Sequence, residues 1–127
     1  MKTTNNNILE DLDIPLDYKH FISLLTNRLC QNSCVEKIYL FGSCARGSVS
    51  KGSDIDLAVI VSDEQQVDRS LRLSVVDNIE VGLLHSCEMN IPYDVVFFNE
   101  SDFDRSKNIS ISVAREIEKE GSLLYER

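Results

Sequence analysis

Residues 40–61 read LFGSCARGSVSKGSDIDLAVIV, and the two carboxylates inside this stretch decide how the chain is read. From Asp54 to Val61 the residues are those of a β-strand, rich in branched aliphatic side chains. Successive side chains of a strand point to opposite faces. Ile55, Leu57, Val59 and Val61 therefore share one face, directed into a core, while Asp54 and Asp56 share the other. A strand that only filled a core would not carry such a pair. Their Cα atoms should stand roughly 6.5–7 Å apart, close enough for both carboxylates to reach one cation. Two like charges so placed raise each other's pKa unless a cation joins them. Hard oxygen donors favour Mg²⁺ or Mn²⁺ over zinc.

Upstream, Gly42-Ser43 precedes Asp54 with ten residues between. It follows Val35–Phe41, a β-branched and aromatic run that reads as another strand. A glycine at the strand end lets the backbone approach a phosphate closely, and Ser43 adds a hydroxyl donor. A short turn or helix over Ser43–Arg46 would aim its free N–H groups at the same anion. Arg46 either adds charge there or locks the loop through backbone contacts. The small-residue loop GSVSKGS then turns the chain back toward the aspartates. Downstream, Asp94 is a lone carboxylate ahead of VVFF in a third strand, Tyr93–Phe98, entered at Pro92. If this strand lies beside Asp54–Val61, Asp94 completes a triad. Three carboxylates and two cations are the equipment for a two-metal displacement at phosphorus.

The flanks supply the layers around these strands. A helix is predicted to open near Asp13–Pro15, with Asp as its cap and Pro in its first turn. Tyr18, Phe21, Ile22, Leu25 and Leu29 fall on its one apolar face. Ser62-Asp63-Glu64-Gln65 predicts a capping-box start for a long helix carrying Val67, Leu71, Val75, Ile79 and Leu83. Ile109, Val113 and Ile117 mark a last helix stopping at Gly121, and SLLYE a short terminal strand. Residues 1–12 read as a flexible Asn-rich lead, and residues 13–127 as a single domain. The order α-β-β-α-β-α-β predicts an α/β (α+β) fold, a small mixed β-sheet flanked by helices.

The chain has 127 residues, of which 43% are hydrophobic and 27% charged, the profile of an ordinary globular domain. Its formal net charge of −8 argues against a partner held by the phosphate backbone of DNA or RNA. It accommodates a nucleotide carried with Mg²⁺ and suits docking to a basic protein. The polar N-terminus lacks the apolar core of a signal peptide, and no apolar run approaches the roughly 20 residues of a membrane span. A cytoplasmic location is expected. Cys30, Cys34, Cys44 and Cys87 lack zinc-ribbon spacing and read as free thiols. His20 and His85 read as surface or helix-packing residues.

GSCARG followed by SDIDLAVIV resembles the signature of the DNA polymerase beta nucleotidyltransferase superfamily, Gly-Ser-x10-Asp-x-Asp. The short chain, YDVVFF and the closing REIEKEGSLLYER resemble the minimal nucleotidyltransferase (MNT) branch, antitoxin-type proteins paired with a HEPN-domain partner. The resemblance implies that Gly42 and Ser43, with Arg46 beside them, hold nucleotide phosphates. It implies that Asp54 and Asp56 bind two Mg²⁺ ions, with Mn²⁺ as a substitute. Asp94 would be the third ligand and would help deprotonate the acceptor. The implied reaction transfers AMP from ATP to a hydroxyl, a tyrosine of a HEPN ribonuclease toxin in this branch. Tyr93 departs from the small β-branched residue usual before that third aspartate, and its side chain is expected to point away from the site.

The chain is expected to leave no room for an acceptor-binding helical domain, so a partner protein or a second copy of the chain must supply that surface. The alternative is a non-catalytic module that neutralises its partner by docking alone.

Overall fold

In the computed structural model, which describes residues 3–4, 6–50, 52–86 and 91–127, the apolar runs become the middle strands of one sheet. The chain begins with β1 (Thr3–Thr4), α1 (Asn6–Asp11), α2 (Leu16–Leu29), β2 (Val35–Phe41) and the short α3 (Gly42–Arg46). It continues through β3 (Ile55–Val61), α4 (Arg69–Ser86), β4 (Tyr93–Asn99), α5 (Glu100–Ser106), α6 (Val113–Glu120) and β5 (Ser122–Glu126). Five strands lie in the order β1-β5-β2-β3-β4. The β3–β4 pair is parallel, and the others are antiparallel. The sheet is therefore mixed and flanked by helices, as the sequence predicts.

β3 is the spine. Ile55, Leu57, Val59 and Val61 are fully buried in the larger core, together with Phe21, Ile22, Leu25 and Leu29 of α2 and Val75 and Ile79 of α4. The opposite face of β3 is buried too. Ala58 and Ile60 pack in a second cluster with Phe103 of α5 and Ala114 and Ile117 of α6. Each fully buried aliphatic side chain contributes roughly 1.5–3 kcal/mol relative to exposure, so two covered faces make β3 the most firmly held element. Only Asp56 interrupts its run of buried residues.

Several local expectations change. Residues 6–11, assigned from sequence to a lead outside the domain, form α1, and Leu9 lies in the larger core. α2 begins with Pro15 at its N-cap and no capping side chain, so Asp13 does not cap it. The Ser62–Gln65 capping box does not start α4. Asp68 does, its Oδ1 accepting the Leu71 N–H at 3.0 Å, and Val67 is left exposed. Ser62–Gln65 is instead a loop fastened to the end of β4, where Asn99 Nδ2 donates to the carbonyls of Ser62 and Gln65 at 3.0 and 2.6 Å. Asp63 accepts from the N–H of Ser101 at 2.9 Å and from its hydroxyl, serving the first turn of α5. These bonds hold its carboxyl below the usual carboxylate range.

α5 was not expected, and α6 starts only at Val113. Ser112 caps it by accepting the Arg115 N–H at 3.1 Å, which leaves Ile109 exposed outside the helix. β5 forms as predicted. Cys30, Cys34 and Cys44 are free thiols, and His20 is exposed. The side chains of Leu83 and His85, and all of Cys87, lie outside the described residues.

Asp68→Ala should lower stability by about 1 kcal/mol through loss of the α4 cap. Ser62→Ala should be within about 0.5 kcal/mol of the parent. Urea unfolding midpoints distinguish the two, and equal losses would restore the cap to Ser62.

Candidate active site

The sheet register assembles the site. Phe41 at the end of β2 pairs with Asp56 on β3, and Asp56 pairs with Asp94 on β4. Asp56 and Asp94 thus lie side by side on adjacent strands at one end of the sheet, and Gly42, the first residue of α3, follows β2 beside Asp56. Asp54 comes immediately before β3. Tyr93 alternates to the far face and meets Phe21 edge-on, with ring centroids 5.9 Å apart, as expected.

Gly42 is required by two separate constraints. Its φ of +73° lies in the left-handed region, which side-chain-bearing residues rarely adopt. A Cβ there would also sit inside van der Waals contact of Asp56 Oδ2. Ser43 follows in α3, and its carbonyl accepts the Ser48 N–H at 3.0 Å. The loop to Asp54 is braced at several points. Ser50 N–H donates to Ser53 Oγ at 2.8 Å, and the Tyr18 hydroxyl donates to the Ser53 carbonyl at 2.8 Å. The Cys44 thiol, fully buried beneath α3, points at the Asp54 carbonyl at 3.5 Å. Burial, with Asp56 and Asp54 nearby, pushes that thiol up to about 11, so it stays protonated at neutral pH and serves as a donor, not a nucleophile.

Tyr18 and Cys44 were read from sequence only as a core residue and an incidental thiol. The polar tip of a tyrosine inside an apolar stripe is the one available hint that it braces something.

The electrostatics centre on Asp56. Burial raises its carboxyl pKa above the usual range, and the charges of Asp54, Asp94 and Glu116 push the same way, while Arg46 opposes them. Arg46 pairs with carboxylates of α6. Its Nη1 lies 3.6 Å from Glu116 Oε1 and 3.5 Å from Glu120 Oε2, tying α3 to α6. Asp94 faces Arg72 of α4, a residue that sequence reasoning missed, with Arg72 Nη2 3.6 Å from Asp94 Oδ1. Among the described residues, no three acidic, histidine or cysteine side chains close around a single point. The donor set nonetheless fits a hard divalent cation. All its donors are carboxylate oxygens, and Asp56 bears an electrostatic penalty that a cation would relieve.

Two outcomes follow from this geometry. The folded state binds a proton at Asp56 more readily than the unfolded chain, so this group's contribution to stability falls as pH rises through the interval from its unfolded to its folded pKa. Without divalent cations at pH 7, Asp56→Asn should raise Tm by about 1–3 °C. The gain should disappear in acid, where the parent's Asp56 is protonated. A variant less stable than the parent at both pH values contradicts the assignment. Gly42→Ala should lose about 1–3 kcal/mol from the strained φ alone, read by denaturant unfolding.

The family described as "Polymerase beta, Nucleotidyltransferase" matches residues 24–127. No protein of curated function matches. Among solved structures, a protein from Sulfolobus solfataricus assigned as a nucleotidyltransferase is 19% identical, with a TM-score of 0.52 over 98% of this chain and 91% of that one. A toxin–antitoxin structure with AMP-PNP is 24% identical, with a TM-score of 0.51 over 88% of this chain and 75% of that one. A substituted MntA toxin–antitoxin gives 20% identity and a TM-score of 0.51 over the same shares, 88% and 75%. At these identities the structures speak for the fold. The match over most of the sequence speaks for the family, and this chain belongs to the polymerase beta nucleotidyltransferases.

Proposed function

We propose that this nucleotidyltransferase transfers AMP from ATP to a hydroxyl of a partner protein, a tyrosine of a HEPN ribonuclease toxin, and so acts as its antitoxin. The observation that carries the reading is the row of Asp56 and Asp94 on adjacent strands with Gly42 of α3 against Asp56, and Ser43 and Asp54 next to them in the chain. This row places a phosphate-tolerant backbone next to carboxylates that need a cation. The similarity to a toxin–antitoxin structure containing AMP-PNP supports a nucleotide and a protein partner.

Two Mg²⁺ ions, or Mn²⁺ in their place, would be held by Asp54, Asp56 and Asp94, and would neutralise the phosphates and sharpen the attacking oxygen. Gly42 admits the triphosphate against the backbone and Ser43 donates its hydroxyl to it. Asp94 stands at the outer side of the row, where it accepts the acceptor's proton. The acceptor oxygen bonds to the α-phosphorus, the bond to the β-phosphate oxygen breaks, and pyrophosphate leaves with that electron pair. Arg46 serves the phosphates only after leaving Glu116 and Glu120, an exposed pairing of the kind worth little. No helix among the described residues is long and apolar enough to cross a membrane, in keeping with a cytoplasmic role.

The test is calorimetric titration of ATP and the other nucleoside triphosphates with and without Mg²⁺, followed by transfer of labelled AMP to the co-purified partner. Mg²⁺-dependent ATP binding and labelling, both lost in Asp54→Asn/Asp56→Asn, are expected. A folded Asp54→Asn that still neutralises the partner without labelling it would mean that docking alone is the mechanism.

A further inference from the structure

The first turn of α4 carries Arg69 and Arg72 and no acidic residue. The N-terminus of a helix has a positive partial charge, so cations in the first turn are placed against the dipole. Arg72 finds compensation outside its helix, at Asp94 Oδ1, 3.6 Å away. Asp94 is the register partner of Asp56, whose carboxylate already suffers from the neighbouring negative charges. The guanidinium therefore lies beside the outermost carboxylate of the acidic row.

Nothing locks it there. The separation exceeds hydrogen-bond length, and the two side chains are 52% and 64% exposed, conditions under which ion pairs are weak and readily exchanged. Beside it runs an open groove of about 380 Å³, lined by Val67, Asp68, Arg69, Val96 and Phe97 as well as Arg72. A displaced guanidinium has room there.

We propose that Arg72 is an internal counter-cation for Asp94, a positioning residue that competes with the divalent metal for this carboxylate and so sets the metal concentration at which the site assembles. The inference rests on the metal-dependent reading of the acidic row. With metal absent, the single charge of Arg72 restrains Asp94. A divalent ion brings twice that charge to the same oxygens, and Arg72 gives way. Removing Arg72 lifts both the competition for Asp94 and the repulsion between guanidinium and metal, so both effects tighten metal binding.

The test measures Mn²⁺ binding to the full chain by calorimetry and by loss of the free-Mn²⁺ electron-spin signal, neither of which needs turnover. Arg72→Gln should bind Mn²⁺ about two- to fivefold more tightly than the parent. Arg69→Gln removes the same charge one helical turn away and should give a smaller change. In an Asp94→Asn background the gain from Arg72→Gln should fall to that of Arg69→Gln, the part owed to charge alone. Unchanged or weaker Mn²⁺ binding in Arg72→Gln overturns the proposal. So does an equal gain in Arg69→Gln, or a gain from Arg72→Gln that is as large in Asp94→Asn as in the parent. A folded parent chain that binds no Mn²⁺ overturns the metal-dependent reading, and this inference with it.

Discussion

Parallel pairing of β3 with β4 sets Asp94 beside Asp56, and the repulsion created there shapes the polar structure around it. Neither strand can slip to relieve it. A shift of one residue would turn Asp56 inward and drive Leu57 or Ile55 out of the core, exposing side chains that are now fully buried. The register is therefore held by apolar packing on both faces of β3, and the carboxylates must accommodate it. Arg72 at Asp94, and Arg46 between Glu116, Glu120 and Asp56, are the cationic side chains that partly offset the charge.

What the sequence discloses depends on whether the signal is local. Asp-x-Asp in an aliphatic run fixes a face through the two-residue period, and the predicted inward set of Ile55, Leu57, Val59 and Val61 is the buried set. The second cover on β3 was not legible. It needs α5, seven residues long, whose hold on the fold comes largely from Phe103 stacking on Tyr39 and meeting Phe98. One aromatic in a polar helix of two turns leaves no periodicity to detect. The false helix start at Ser62 has a similar origin. Ser-Asp-Glu-Gln satisfies the local capping rule, but Asn99 and Ser101, distant in sequence, claim its carbonyls and the Asp63 carboxylate. Tertiary bonds overrode a short-range preference.

At the site the same division holds. Gly42, Asp54, Asp56 and Asp94 stand out because a glycine at a strand end and carboxylates in strands are locally anomalous, and the structure sets them at one end of the sheet. The ionic partners of the row do not stand out, because arginines on exposed helical positions are ordinary. Arg46 was visible as a charge near the motif, but its pairing with α6 depends on a helix some 70 residues downstream. Arg72 carries no sequence signal beyond a basic first turn that opposes its helix dipole.

The balance between core and site follows from these placements. An acidic row that destabilises the cation-free fold is tolerable only on a strand whose neighbours cannot move, and β3 meets that condition through helices on both sides. The left-handed Gly42 belongs to the same arrangement, since a side chain there would displace Asp56 from the position its strand dictates. Binding a cation would then convert the most repulsive part of the domain into an attractive one without rearranging the sheet. The proposed response to a cation lies in exposed side chains, at Arg72 and Arg46. The proposed handling of polyphosphates by a chain with a net charge of −8 would rest on these terms, the counter-charge arriving with the ligand.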